Sequence, residues 1–327
     1  MDTFWYALLA VLFLAYFALG GLDIGVGLLL PVHPYPTRRA ALNALGPFFL
    51  GNEVWIIGAA GALLAAFPRT ESALFHAAYP LVIAIVAGLV GINAGVQLRS
   101  RPARTGARAA LDGLIAVSAT VLAFGWGALL GNLLTGLPLG AGPVVLTGWF
   151  PAVTGLALVA VAAAHGAAFL SWRLPDGELR GRAARLGSRL APVAAVAVAA
   201  AIALGFADAG VRRAVGHPAV AVALAGAAVV LLVAAGFAVR AGRPQLAVVA
   251  SGLAMALPVV VVGVAVFPNV LVSTGPEPSL TIAAGAADVT TLRLLSWVAA
   301  PLVPLLLALQ VFNWRLFRAG RPGVRYW

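Results

Sequence analysis

The sequence predicts an all-α integral membrane protein with about nine transmembrane helices, and three observations carry that reading. Hydrophobic residues make up 62% of the 327-residue chain and charged residues 9%, where a soluble chain needs roughly 25% charged residues to cover its surface. Apolar runs of about 20 residues, the length that crosses a hydrocarbon core about 30 Å thick, recur along the chain. The basic residues are all arginine, and seventeen of the twenty-one fall in every second connecting segment.

Taken in order, the first span covers 4–30. It follows Met1-Asp2-Thr3-Phe4 with no positive n-region and is longer than a signal-peptide core, so it reads as a retained helix. The second, 44–67, is set off by Pro31 to Pro36 with Arg38 and Arg39, and closes at Pro68-Arg69. The third, 78–98, stops at the run Arg99 to Arg108, and the fourth, 112–134, at Pro138 to Pro143. The fifth, 149–172, ends before Pro175-Asp176-Gly177. Spans six and seven, 190–208 and 217–238, are cut from a nearly featureless Ala/Val stretch by Asp208 to Pro218. Arg243-Pro244 precedes the eighth, 246–267, and the ninth is 293–314. The longest remaining stretch, 268–292, is too short for a soluble domain, so the chain reads as one membrane domain, 1–327, in which all function resides.

Arginine counting sets the orientation, because short arginine-rich loops stay in the cytoplasm. With the N-terminus outside, only Arg69, Arg212, Arg213 and Arg293 fall outside. The C-terminus is then cytoplasmic, with Arg315, Arg318, Arg321 and Arg325 in a basic tail. The net charge of +11 is therefore a topology signal and not a nucleic-acid footprint, since no single basic face is formed. With no cysteine, thiolate metal sites, iron–sulfur clusters and cysteine nucleophiles are excluded. No phosphate loop, zinc motif or activated serine appears, so no catalytic residue and no metal ligand is assigned.

Ionisable groups inside a span are costly unless paired or hydrated, which makes each a candidate site. Asp23 lies about seven residues from the inner end of span one, roughly 10 Å deep at 1.5 Å per residue. Glu53 in span two, Asn93 in span three and His165 in span five fall at a similar depth. Asp23 could equally be a structural acceptor of backbone N–H groups, and His165 reads more readily as a hydrogen-bonded packing residue than as a ligand. His33, His76 and His217 sit at helix ends and read as interfacial. Trp5, Trp149 and Trp297 at one boundary, and Trp172, Trp314 and Trp327 at the other, read as aromatic belts, with Trp55 and Trp126 deeper. Gly21 and Gly25, Gly91 and Gly95, and Gly127 and Gly131 have the spacing that lets membrane helices approach closely. A haem held by two imidazoles needs a facing pair, and only His165 is deep.

Gly20-Gly21-Leu22-Asp23-Ile24-Gly25-Val26-Gly27, then Leu45-Gly46-Pro47-Phe48-Phe49-Leu50-Gly51-Asn52-Glu53-Val54-Trp55, then Ala65-Ala66-Phe67-Pro68, resemble in order and spacing the N-terminal signature of subunit II of the cytochrome bd-type quinol oxidases. Weaker agreement continues through Gly125 to Pro138, His165 to Leu170, Phe267-Pro268 and Val303-Pro304. The resemblance implies two four-helix bundles plus one helix, divided as 1–138, 139–268 and 269–327, in the bacterial plasma membrane. It implies a respiratory complex that oxidises quinol and reduces O2 to water with cytoplasmic protons. Haems b and d belong to subunit I, and subunit II binds none alone, supports assembly, helps proton access and in some members holds a quinone. The implied partners are the haem-bearing subunit I, membrane quinol and small accessory membrane subunits. Asp23, Asn52, Glu53, Asn93 and His165 become proton-pathway candidates, and Gly21, Gly25, Gly51 and Trp55 motif or packing residues.

Three departures accompany the resemblance. Phe49-Leu50 stands where the family has Trp-Asp, Ile92 where it has Arg, and Gln97 where it has an acid. The competing readings are a secondary transporter with helices interrupted at Pro258, Pro301 and Pro304, or a non-catalytic assembly scaffold of a respiratory complex.

Overall fold

The computed structural model describes residues 1–102 and 104–317; Arg318, Arg321, Arg325 and Trp327 of the expected tail lie outside the described residues. The helices are α1 (Asp2–Leu29), α2 (Tyr35–Ala66), α3 (Pro68–Ala77), α4 (Tyr79–Leu98), α5 (Thr105–Thr135), α6 (Phe150–Arg173), α7 (Glu178–Ala207), α8 (Ala209–Ala214), α9 (Pro218–Arg240), α10 (Pro244–Ala265), α11 (Ile282–Gly285) and α12 (Val289–Leu316). Among the described residues, nine are long and apolar enough to span a membrane: α1, α2, α4, α5, α6, α7, α9, α10 and α12. Prolines start many of them. Pro68, Pro80, Pro151, Pro218 and Pro244 sit in first turns, where a fixed φ and a missing N–H cost nothing. Asp288 caps α12 by accepting from the Thr290 and Thr291 amides at 2.9 and 3.0 Å, and its bonds to Thr291 hold its carboxyl below the usual range.

Three expected starts move. α2 begins at Tyr35, α5 at Thr105 and α7 at Glu178, all well before the apolar runs at 44, 112 and 190. The first turns of α7 are charged and are held by an i,i+4 pair in which Arg182 donates to Glu178 at 2.6 Å, a contribution hydropathy does not register. The short surface helices α3 and α8 were likewise invisible to a search for long apolar runs.

Apolar helices in lipid gain nothing from a hydrophobic effect between them, so small residues decide which faces meet. A Cβ added at Gly25 would lie 2.2 Å from the Ala162 carbonyl oxygen, and one at Gly127 would lie 2.5 Å from the Thr154 carbonyl. α1 and α5 therefore close onto α6 backbone to backbone. α6, α7, α9 and α10 form a closed ring, each packed on the next. α1, α2, α4 and α5 form a second ring that is open, because α2 and α4 scarcely pack. α1 joins the two rings through α6 and α10, and α12 lies outside α2.

We call the arginine-rich side the inner end, following the charge count. At the outer end the loops are knitted together. Leu137 donates to Val272 at 2.9 Å, Val144 to Ala77 at 2.8 Å and Ala287 to Ala66 at 2.8 Å, around a short antiparallel pair, β1 (Asn269–Leu271) and β2 (Leu280–Thr281). Several belt residues turn inward. Trp5 is buried and its indole donates to Leu292 O and Ser296 Oγ, both at 3.2 Å, pinning α12 to α1. Trp314 stacks between Trp172 (5.6 Å) and Phe48 (4.3 Å). His33, at the end of the first span, is buried, with its Nδ1 2.8 Å from Leu29 O. Trp149 and Trp297 remain exposed, as do His76 and His217.

Candidate functional site

The polar residues expected in one layer fall into three separate groups. Asn52 and Glu53 are neighbours on α2, so their side chains diverge by about 100° around the helix. Asn52 is fully buried and points to α1, where its Nδ2 donates to Asp23 Oδ1 at 3.1 Å. Its Oδ1 has no hydrogen-bond partner among the described residues, leaving a buried acceptor with capacity for a water. Glu53 points the other way and is half-buried. Its carboxylate accepts from Asn93 Nδ2 on α4, across the open side of the first ring. Gln97, one turn towards the inner end, donates to Asn93 Oδ1 at 3.5 Å. Glu53, Asn93 and Gln97 thus form a polar streak that runs up α4 from its inner end.

The streak lies on an otherwise apolar surface. Leu50, Ile57 and Leu64 on α2 and Ile83, Val86 and Val90 on α4 are exposed along the same faces. Leu50 is 61% exposed, so the side chain standing at the family's acidic position faces out of the chain and not into its core. Gly51 and Trp55 lie away from the streak. Trp55 is buried, and Gly51 faces α12, where Asn313 Nδ2 donates to Pro47 O at 3.0 Å.

His165 belongs to neither pair. Its Nε2 lies 2.9 Å from Ala18 O and its Nδ1 2.8 Å from Ser251 Oγ, which fixes Nε2 as the donor to the carbonyl. Gly21 and Gly252 pack on the ring, where an added Cβ would sit 3.4 and 3.2 Å from it. With both nitrogens engaged by groups of this chain, this imidazole does not fit a haem iron.

A buried ion cluster at the inner end escaped the sequence reading. Asp112, 1% exposed, accepts from Arg38 Nη1 at 3.1 Å and from Arg99 Nη2 at 3.2 Å, with a second, shorter bond from Arg99 Nε. It ties the inner ends of α2, α4 and α5 together where α2 and α4 would otherwise separate. The signal available was an acid at the start of an apolar run, just after the arginine cluster Arg99 to Arg108. A separate apolar cavity of about 450 Å³ lies between α5 and the closed ring, lined by residues such as Leu130, Thr154, Ile202, Ala225 and Leu257, with Arg212 as its one charged side chain.

Against known proteins, the profile of the family described as cytochrome bd terminal oxidase subunit II matches residues 1–317. The chain belongs to that family. It is therefore subunit II of a cytochrome bd-type terminal oxidase, a multi-pass membrane component of a bacterial respiratory oxidoreductase complex that also contains a subunit I. It is 28% identical over 330 residues to cytochrome bd ubiquinol oxidase subunit 2 of Bacillus subtilis (strain 168), covering 97% of this chain and 96% of that protein. A 136-residue stretch is 35% identical to cytochrome bd-I ubiquinol oxidase subunit 2 of Escherichia coli (strain K12), covering 41% of this chain and 36% of that one. In fold, the chain is similar to one in the structure of bd oxidase from Geobacillus thermodenitrificans, with a TM-score of 0.74 at 18% identity over 98% of this chain and 99% of that chain. The transporter reading falls with this membership, and α10 and α12 run uninterrupted through Pro258, Pro301 and Pro304.

Proposed function

We propose that this subunit II serves a complex that oxidises membrane quinol and reduces O2 to water, and that it supplies assembly and part of the proton uptake. The relatives named ubiquinol oxidases support a quinol as electron donor. Haems b and d are assigned to subunit I, because His165 has both nitrogens engaged by Ala18 and Ser251. Those haems supply the electron transfer and oxygen chemistry. This chain's own residues hold and move protons.

The observation that carries the reading is the Glu53–Asn93 bond across the open side of the first ring. A carboxylate inside a span persists where it is hydrated or handed a proton, and Asn93 and Gln97 give Glu53 a hydrogen-bonding path to the inner end. Asp23 joins it through Asn52, the next residue on α2, as a second carboxyl at the same depth. We take the apolar stripes of α2 and α4 as the face that subunit I covers, with Glu53 at the junction of the two subunits; their exposure supports this reading. On this reading the bundle of 1–138 is open and partner-facing, while that of 139–268 is closed. A quinone chain in the 450 Å³ cavity would be structural, since no carboxyl or imidazole lines that space to take a proton from quinol. Small accessory subunits would sit on the outlying α12.

The test is to purify the complex through a tag on this chain. A haem-bearing partner with a reduced-minus-oxidised spectrum of b and d haems and quinol-driven O2 consumption is the expected result. Purification without haem, or without quinol oxidation, would defeat the assignment.

A further inference from the structure

The inner ends of α7 and α9 carry arginines that form no ion pair with a carboxylate among the described residues. The two helices run antiparallel in a fixed register. A Cβ at Gly236 would lie 3.2 Å from Ala191 Cβ, and one turn nearer the inner end Arg240 Nη2 donates to Ser188 O at 3.2 Å. Arg185, about one turn from Ser188 on α7, and Arg189, the next residue after it, flank this contact, and Arg243, the residue before α10, is held at the end of α9 by its amide's bond to Ala238 O at 2.8 Å. All four are exposed. The nearby acids are engaged elsewhere, Asp176 with Arg180 and Glu178 with Arg182. The sequence from 179 to 207 and from 209 to 276 contains no Asp or Glu.

Directly below the arginines, on the same helix faces, the surface is apolar: Val193 and Val196 on α7, Val233 and Phe237 on α9, all exposed. Arginines needed only to fix topology could point anywhere in a loop. Here Arg240 of α9 is bonded to Ser188 of α7, which lies between Arg185 and Arg189 in the chain, so basic residues of two helices meet at headgroup level above a surface suited to acyl chains. Guanidinium groups grip phosphate oxygens through paired N–H donors, and basic pockets between helices on the cytoplasmic side of a membrane recruit anionic headgroups.

We propose that Arg185, Arg189, Arg240 and Arg243 form a binding site for the phosphate headgroup of an anionic inner-leaflet phospholipid, whose acyl chains lie along Val193, Val196, Val233 and Phe237. An acidic protein surface would match the charge but would not need the apolar faces beneath it.

The test uses the intact oxidase in phosphatidylcholine nanodiscs doped with phosphatidylglycerol, with native mass spectrometry reading the lipid retained on subunit II. The wild type should keep one phosphatidylglycerol that phosphatidylcholine does not displace. The triple variant R185Q/R240Q/R243Q should lose that preference about a hundredfold, with its haem spectrum unchanged as proof of assembly. The corresponding triple lysine variant should keep the preference. Equal retention in the glutamine variant would overturn the site. Displacement of the lipid by inorganic phosphate, or an acidic protein bound in its place, would overturn the lipid assignment.

Discussion

Asn93 of α4 donates its amide to the Glu53 carboxylate of α2, joining two helices that otherwise leave the first ring open. The bond lies on the exposed side of the ring, level with the buried Asp23–Asn52 pair on another face of α2. The consequences of this arrangement can be measured.

If the streak is a proton lead, Glu53→Gln should lower quinol-driven O2 consumption severalfold while haem content and assembly stay intact. Gln97→Leu should produce a smaller fall. Leu50→Asp places a carboxyl on the same exposed face one turn from Glu53 and should be tolerated or should restore flux in the Glu53→Gln background. Undiminished turnover in Glu53→Gln would mean that protons enter through subunit I.

The uneven arginine distribution fixes a topology that reporters can check. A fusion after Trp327 should be active only in the cytoplasm, and an insertion near Gly140 only outside. Gly140 lies in the knitted outer loops with a φ of +79°, so the insertion should flank that residue and leave it in place. The reverse pattern would invert the assignment of inner and outer ends.

His165→Ala should leave every haem band of the complex in place, because both imidazole nitrogens are already satisfied within the subunit. It should cost about 1–3 kcal/mol by stranding the buried Ala18 and Ser251 groups, seen as earlier thermal inactivation of the purified oxidase. Disappearance of one haem signal in this variant would contradict the haem-free reading.

Asp112→Asn should weaken the inner end of the open ring more than any change on the streak. Removing one member of a buried ion cluster leaves uncompensated charge and costs about 3–5 kcal/mol. Here Arg38, 19% exposed, can recover some hydration, while Arg99, 9% exposed, recovers little. Reduced assembly yield and a lowered inactivation temperature are expected. A variant as stable as the parent would show that Asp112 does not hold α2, α4 and α5 together.

The sequence by itself determined the class, the nine spans and the family. Each rests on a local property: the length of an apolar run, the side on which arginines cluster, and the order of Gly20 to Gly27 and Leu45 to Trp55. It also marked Asp23, Glu53, Asn93 and His165 as similar in depth, because depth along a helix is a residue count. Only the tertiary structure decided their partners. Rotation about each helix axis sent Asn52 to Asp23, Glu53 to Asn93 and His165 to Ser251, and those rotations are set by close contacts such as Gly25 on Gly166 and Gly127 on Thr154. Trp5 and Trp314 turned from belt residues into packing ones for the same reason. Asp112 gained its role when folding brought Arg38, 74 positions away, alongside Arg99. In lipid, polarity no longer tells a helix which face to bury. Shape makes that choice, and shape is complete only when all the helices are in place.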